Sequence, residues 1–160
     1  MRTLVLGLGN PVLTDDAVGL HVVRALQARL GERPDIEVDE DCHGGLRLME
    51  RMIGYDRGIV VDAMRSGREP GTIQRLYDAS IPTQHSASAH DANLSTSLEL
   101  GRLVHAHLPE TENILFFGIE AADVTTFGDR CTPEVEAAVP RAVEAVLRAL
   151  DEGGIRDGVS

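Results

Sequence analysis

The chain has no tryptophan, and phenylalanine and tyrosine make up only 3% of its 160 residues. Its hydrophobic core must therefore be aliphatic. Basic residues are also scarce, because 15 Lys and Arg stand against 26 Asp and Glu, which gives a net charge of −11. Nucleic acids and anionic membranes attract positively charged surfaces, so this balance argues against both as partners.

Cysteine is scarce as well, with only Cys42 and Cys131 in the chain. No CxxC pair is present, which excludes a zinc ribbon and a thioredoxin-like redox motif. The sequence also lacks an apolar run long enough for a signal peptide or a transmembrane helix. Two separate thiols fit a reducing compartment, so we expect a cytoplasmic protein.

The hydrophobic pattern alternates between strand-like and helix-like segments. Short runs rich in Val, Ile, Leu and Phe predict strands at 3–9, 36–41, 58–63, 72–77 and 114–119, and amphipathic segments predict helices at 16–31, 45–53, 93–108 and 133–151. This alternation predicts an α/β fold, a three-layer α/β/α sandwich of the phosphorylase/hydrolase-like type. Its twisted sheet of about five strands should be mostly parallel.

Three other segments refine this prediction. The turn-rich segment 65–72 is short enough to join strands 3 and 4 as a hairpin, so we expect one antiparallel strand. The length suits a single domain, which we place at 1–151, with residues 152–160 as a flexible tail. Pro140 interrupts the last helical pattern and predicts a kink there.

The first strand leads into Gly7-Leu8-Gly9-Asn10, and Asp15 and Asp16 follow at the start of the first helix. A dinucleotide-binding GxGxxG motif would need glycine at position 12, where Val12 stands. The two acids would also repel a pyrophosphate at the helix start. Nucleotide binding is therefore disfavoured. We expect one acid, Asp15, to cap the helix, which leaves Asp16 available for other chemistry.

Polar side chains follow several strands of the predicted sheet. Asp16 follows strand 1, residues 41–43 (Asp-Cys-His) end strand 2, Asp62 ends the apolar run of strand 3, and His90 ends the loop before helix 3. The carboxyl ends of parallel strands meet at one edge of a sheet. Carboxylates and an imidazole at such an edge suit nickel, zinc or manganese. Asp62 could instead start a turn, and His85 competes with His90 in the same loop.

Four segments closely resemble the maturation endopeptidases of nickel–iron hydrogenases. They are LVLGLGNPVLTDDAVGLHVVRAL, VVDAM, SASAHDANLS and FFGIEAADVTTFGDRCTPEVEAAVPRAVEAVLRAL. The resemblance spans about residues 1–150. It implies that Asp16, Asp62 and His90 bind the metal, with Asp16 where some members have glutamate. The Gly-Gly-Thr-like loop of the family is replaced by residues 41–45, which leaves the roles of Cys42 and His43 open.

The resemblance implies an endopeptidase that removes a short C-terminal extension from the large-subunit precursor of a hydrogenase. Nickel would be supplied by the precursor as the recognition element, and other divalent ions could substitute for it. The enzyme is expected to be a monomer, and Asp16 or Asp62 could serve as a general base for water. One alternative is a nickel-binding chaperone that uses the same three ligands without cleavage. Another is peptidyl-tRNA hydrolase, which shares GLGNP but would need a basic face.

Overall fold

The computed structural model of the protein describes residues 1–43, 45–77 and 94–157. Its strands are β1 (Thr3–Leu8), β2 (Ile36–Asp41), β3 (Arg57–Met64), β4 (Ile73–Leu76) and β5 (Ile114–Glu120), and its helices are α1 (Val18–Leu30), α2 (Gly45–Met52), α3 (Leu94–Leu103) and α4 (Pro133–Asp157). Short 3₁₀ turns lie at Asp15–Ala17 and Thr111–Asn113. None of the helices in these described ranges is both long and apolar enough to cross a bilayer.

The strands form one sheet in the order β2-β1-β3-β5-β4. Strands β2, β1, β3 and β5 are mutually parallel, and β4 runs antiparallel to β5. The prediction of a mostly parallel, five-stranded sheet with one antiparallel strand is thus confirmed. The predicted hairpin between strands 3 and 4 is wrong, because β5 lies between β3 and β4. Segment 65–72 instead crosses over the end of β5.

Glu120, at the end of β5, organises this crossing. Its side chain is only 2% exposed. Its carboxylate accepts hydrogen bonds from the backbone N–H groups of Ser66 (2.9 Å), Gly67 (2.9 Å) and Arg68 (3.2 Å), and from the Ser66 hydroxyl (2.7 Å). A buried carboxylate is costly unless it is hydrogen-bonded, so Glu120 and this connection stabilise each other.

Helices cover both faces of the sheet. Because successive strand side chains point to opposite faces, neighbours such as Phe116 and Phe117 belong to different cores. The core under α1 and α4 includes Val22, Leu26, Val61, Phe117, Val135 and Val146. The core under α2 and α3 includes Leu6, Leu48, Met52, Val60, Leu98 and Phe116. The predicted α/β/α layering is confirmed, and the cores are mainly aliphatic.

Two helices end at other residues than the periodicity predicts. Helix α3 ends at Leu103 rather than 108, because His105 adopts a left-handed conformation with φ of 61°. The Ala106 N–H then donates to the Gly101 carbonyl at 3.0 Å and closes the helix end. Helix α4 continues through Pro140 to Asp157, beyond the predicted end at 151. The division into a domain at 1–151 and a tail at 152–160 stays a prediction.

Candidate active site at the carboxyl edge of the sheet

The glycines of the first connection allow the backbones of β1, β3 and α1 to pack closely. A Cβ atom on Gly9 would lie 2.4 Å from the Asp16 carbonyl oxygen. A Cβ on Gly19 would lie 2.4 Å from the Val61 carbonyl oxygen and 2.5 Å from that of Leu8. Both distances are far below van der Waals contact. The glycines therefore bring the start of α1 against the ends of β1 and β3.

Asp16 lies at this junction and is only 6% exposed. Its Oδ2 accepts a hydrogen bond of 3.0 Å from the Asn10 N–H. The carboxylate thus reaches back to the GLGN turn, and Asn10 holds one of its oxygens. The 3₁₀ turn that carries Asp16 also contacts β3.

Asp62 lies inside β3, two residues before the strand ends, and not in a turn. It is 7% exposed, and its Oδ1 accepts a 2.8 Å hydrogen bond from the Ala63 N–H. Val61 pairs with Gly7 of β1, so Asp62 lies level with Leu8, the last residue of that strand. Asp16 and Asp62 therefore occupy the same edge of the sheet, as the sequence predicts.

The predicted third ligand, His90, lies outside the described residues. The competing His85 and the rest of the predicted connection 79–92 also lie there. The first described residue after this gap is Leu94, where α3 begins. The set of Asp16, Asp62 and His90 consequently stays a prediction, supported for its two carboxylates by their burial at one edge.

Asp15 has a different role from its neighbour. Its carboxylate is completely buried and accepts hydrogen bonds from the N–H groups of Ala122 (2.9 Å), Asp123 (2.9 Å) and Thr132 (2.7 Å), and from the Thr132 hydroxyl (2.8 Å). Neither the 3₁₀ turn nor α1 has a side-chain cap. The prediction that Asp15 caps the first helix is wrong, because the side chain instead anchors the loop between β5 and α4.

That loop, residues 121–132, also pairs with the connection between β1 and α1. Leu13 and Phe127 form an isolated antiparallel bridge, and the Thr14 N–H donates to the Thr126 carbonyl at 3.1 Å. Within the loop, hydrogen bonds from the Thr126 hydroxyl and from the N–H groups of Thr126 and Thr125 lower the pKa of Asp123 to about 2. The loop is thus fastened to the connection that carries Asp16, and sequence reasoning gave no signal of this.

A second polar cluster lies at the same edge, at the end of β2. The His43 Nδ1 lies 3.0 Å from the Asp41 Oδ1 and 3.3 Å from the Cys42 Sγ. Burial acts to raise the pKa of Asp41, but the hydrogen bonds from His43 and from the Cys42 N–H, with the charge of Arg47, outweigh it and lower the pKa. Asp41 is therefore a carboxylate at neutral pH.

These features define a class of protein: an α/β sandwich with buried carboxylates at the carboxyl edge of a parallel sheet, where such folds bind their ligands. A family model described as hydrogenase maturation protease matches residues 20–149. The chain belongs to this family, whose members are hydrogenase maturation endopeptidases.

Individual relatives agree with the family match. The chain is 33% identical to the hydrogenase 2 maturation protease of Escherichia coli K12 over 97% of its own length and 94% of the relative's. It is 29% identical to the hydrogenase expression/formation protein HupD of Rhizobium leguminosarum bv. viciae, over 96% of this chain and 76% of HupD. Among solved structures, the maturating endopeptidase HybD of E. coli superposes with a TM-score of 0.79 at 33% identity, covering 96% of this chain and 94% of HybD.

Proposed function

We propose that this endopeptidase removes a C-terminal extension from the large-subunit precursor of a nickel–iron hydrogenase and recognises the nickel already bound in that precursor. Asp16, Asp62 and His90 are the residues that we assign to the reaction. The observation that carries the proposal is the burial of the Asp16 and Asp62 carboxylates at one sheet edge, with exposures of 6% and 7%. Family membership supplies the class of reaction.

The donor chemistry supports nickel as the recognition element. Carboxylate oxygens and an imidazole nitrogen are donors that borderline divalent ions accept. A divalent cation can offset the desolvation that penalises the charge of buried carboxylates. Backbone N–H groups of Asn10 and Ala63 hold one oxygen of each carboxylate, which orients both side chains at the edge.

In this proposal, the three side chains complete the coordination of the precursor's nickel and so place the scissile bond beside them. Holding the reactants together removes much of the entropic barrier to cleavage. One carboxylate, of Asp16 or of Asp62, accepts a proton from the water that attacks the peptide carbonyl. The carbon–nitrogen bond then breaks, and the leaving amine takes up the proton. Aspartate residues thus supply the acid–base chemistry.

The test is cleavage of purified, nickel-loaded precursor, with the released peptide measured by mass spectrometry. Asp16→Asn, Asp62→Asn and His90→Ala should each lower the rate by at least about 100-fold, the usual contribution of an acid–base or positioning group. Asp35→Asn and His107→Ala are matched controls at the opposite edge. Asp35 directly precedes β2, and His107 contacts Asp56 just before β3, at 3.0 Å. Both controls should retain activity.

Each assay separates one part of the proposal. Precursor without nickel should remain uncut, and cleavage of that precursor at the full rate would overturn nickel recognition. Binding without peptide release would indicate a chaperone and overturn the cleavage proposal. Full activity in any one of the three variants would remove that residue from the site.

We also propose that the protein acts as a cytoplasmic monomer. Both cysteines are free thiols, which suits a reducing compartment. The net charge of −11 opposes self-association.

A further inference from the structure

The end of β2 brings three different metal-binding side chains together from consecutive residues. A carboxylate oxygen of Asp41, the Cys42 Sγ and a ring nitrogen of His43 all lie within 4.8 Å of one another, and this is the one such group among the residues that the structure describes. Consecutive side chains of a strand would point to opposite faces. The strand ends at Asp41, and Cys42 lies in a bend, so the three side chains can converge.

The two distances from the His43 ring nitrogen are close to those between the ligands of one tetrahedral ion. Ligand atoms bonded at about 2.0–2.3 Å to such an ion are separated by about 3.3–3.6 Å. The His43 Nδ1 lies 3.3 Å from the Cys42 Sγ and 3.0 Å from the Asp41 Oδ1. These two distances are within a few tenths of an ångström of the tetrahedral values, and all three ligand atoms lie within 4.8 Å of one another.

The two oxygens of Asp41 face different partners. Oδ1 faces His43 and accepts a 2.7 Å hydrogen bond from the Cys42 N–H. Oδ2 faces the guanidinium groups of Arg47 (3.6 Å) and Arg51 (3.7 Å). Arg51 is also paired with Asp39, which offsets its charge. Such outer partners orient a ligating carboxylate, so the arginines hold Asp41 with Oδ1 directed at the other donors.

The three side chains differ in their exposure to solvent, in a way that is compatible with a metal site. The Asp41 side chain is 8% exposed, which fixes one ligand in the protein, whereas the His43 side chain is 54% exposed and can be reached from solvent. Cys42 is also exposed. Three protein donors leave at least one coordination position open to water or to a substrate group.

We propose that Asp41, Cys42 and His43 form a second transition-metal site, which binds a borderline divalent ion such as Ni²⁺, Zn²⁺ or Co²⁺. The ligands are one carboxylate oxygen, one thiolate and one imidazole nitrogen, a donor set that favours these ions over Mg²⁺ or Ca²⁺. The site goes beyond the proposed function and is separate from Asp16 and Asp62. It lies beside them, because the Gly9 N–H donates to the Asp41 carbonyl at 3.1 Å and joins the two connections.

The test is a titration of the reduced, metal-free full chain with Co²⁺, followed by absorption spectroscopy. One equivalent of Co²⁺ should produce a near-ultraviolet thiolate-to-cobalt charge-transfer band and visible bands of tetrahedral cobalt. Ni²⁺ or Zn²⁺ should displace the cobalt. The Cys42→Ser variant should lose the charge-transfer band, and His43→Ala should weaken Co²⁺ binding by at least about tenfold. Circular dichroism checks the fold of both variants, whose exposed positions tolerate substitution.

Two controls distinguish this site from the rest of the protein. Cys131→Ser should keep the band, because the buried Cys131 thiol has its pKa raised to about 11 by burial and by the charges of Asp15 and Glu136. Asp62→Asn should also keep the band, since Asp62 is assigned to the proposed catalytic set with Asp16 and His90. Absence of a thiolate band in the wild type, or a band that survives Cys42→Ser, would overturn the proposal. A band lost in Asp62→Asn would overturn the separation of the two sites.

The cobalt titration and the precursor assay fail independently. A protein that binds Co²⁺ through Cys42 but does not cut the precursor contradicts only the proposed function. A protein that cuts the precursor but shows no thiolate band contradicts only the second metal site.

Discussion

Four carboxylates are buried in the described part of the chain, and their positions indicate two kinds of role. Asp15 and Glu120 each accept several hydrogen bonds from the backbone N–H groups of one loop, and so fix that loop against the sheet. Asp16, in the turn between β1 and α1, and Asp62, near the end of β3, instead lie at the carboxyl edge of the sheet, where nearby backbone N–H groups donate to them. The first pair shapes the edge of the sheet, and the second pair supplies the proposed chemistry.

Replacement of Asp15 tests the anchoring role. Asp15→Asn removes the charge and turns an N–H₂ group toward backbone N–H donors, so we expect a loss of about 2–4 kcal/mol in the free energy of unfolding. Urea denaturation followed by circular dichroism measures this loss. Asp129→Asn, an exposed change in the same loop, is the control and should alter stability by less than about 0.5 kcal/mol. An equally small effect for Asp15→Asn would contradict the anchoring role.

Sequence reasoning distinguishes Asp15 from Asp16 only in part. It predicts that one of the two adjacent acids has a structural role and that Asp16 remains for chemistry. It identifies the wrong structural partner, because the donors to Asp15 are 107 to 117 residues away in the chain. The local sequence around Asp15 can indicate a helix cap. It cannot indicate a contact with a loop more than 100 residues further along the chain.

At the scale of elements, the contact between α1 and the sheet positions Asp16. The strands and helices were predictable because buried aliphatic runs and amphipathic periods are local signals. The end of α3 was not predictable, because His105 closes the helix in a left-handed conformation that glycine usually adopts. The partner of β4 was not predictable either, because the crossing depends on Glu120, which lies over fifty residues from Ser66.

Replacement of Gly19 tests whether close packing of α1 sets the edge. Alanine favours a helix interior by up to about 1 kcal/mol over glycine, so propensity alone predicts stabilisation. The new Cβ would instead meet the Val61 and Leu8 carbonyl oxygens at 2.4 and 2.5 Å. We expect Gly19→Ala to lower the free energy of unfolding by about 2–3 kcal/mol through overpacking.

The control for this change is Ala28→Gly, the reverse substitution at an exposed position of the same helix. It should cost about 1 kcal/mol through propensity alone. Chemical denaturation of both variants gives the comparison. A Gly19→Ala protein that is more stable than the wild type would show that α1 can move away from the sheet, and would contradict the packing argument.

At the scale of the whole molecule, the sheet separates two cores, and α4 contributes much of one of them. Val146, Ala149 and Leu150 are buried in the second half of this helix, and the Arg57 guanidinium donates to the Ala149 carbonyl at 2.6 Å. Arg75 also pairs with Glu152 at 2.8 Å. These contacts show that α4 is packed at least as far as Glu152. The domain limit at 151 stays a prediction.

Two truncations test that limit. A chain that ends at Glu152 keeps these contacts and should unfold within about 1 kcal/mol of the full-length protein. A chain that ends at Ala145 loses the buried Val146, Ala149 and Leu150 side chains, which together contribute about 4–6 kcal/mol. Since domains have only about 5–15 kcal/mol of net stability, the shorter chain should be largely unfolded. Urea denaturation measures the free energy of unfolding of both chains. A loss of more than about 2 kcal/mol in the chain that ends at Glu152 would place residues 153–160 within the domain.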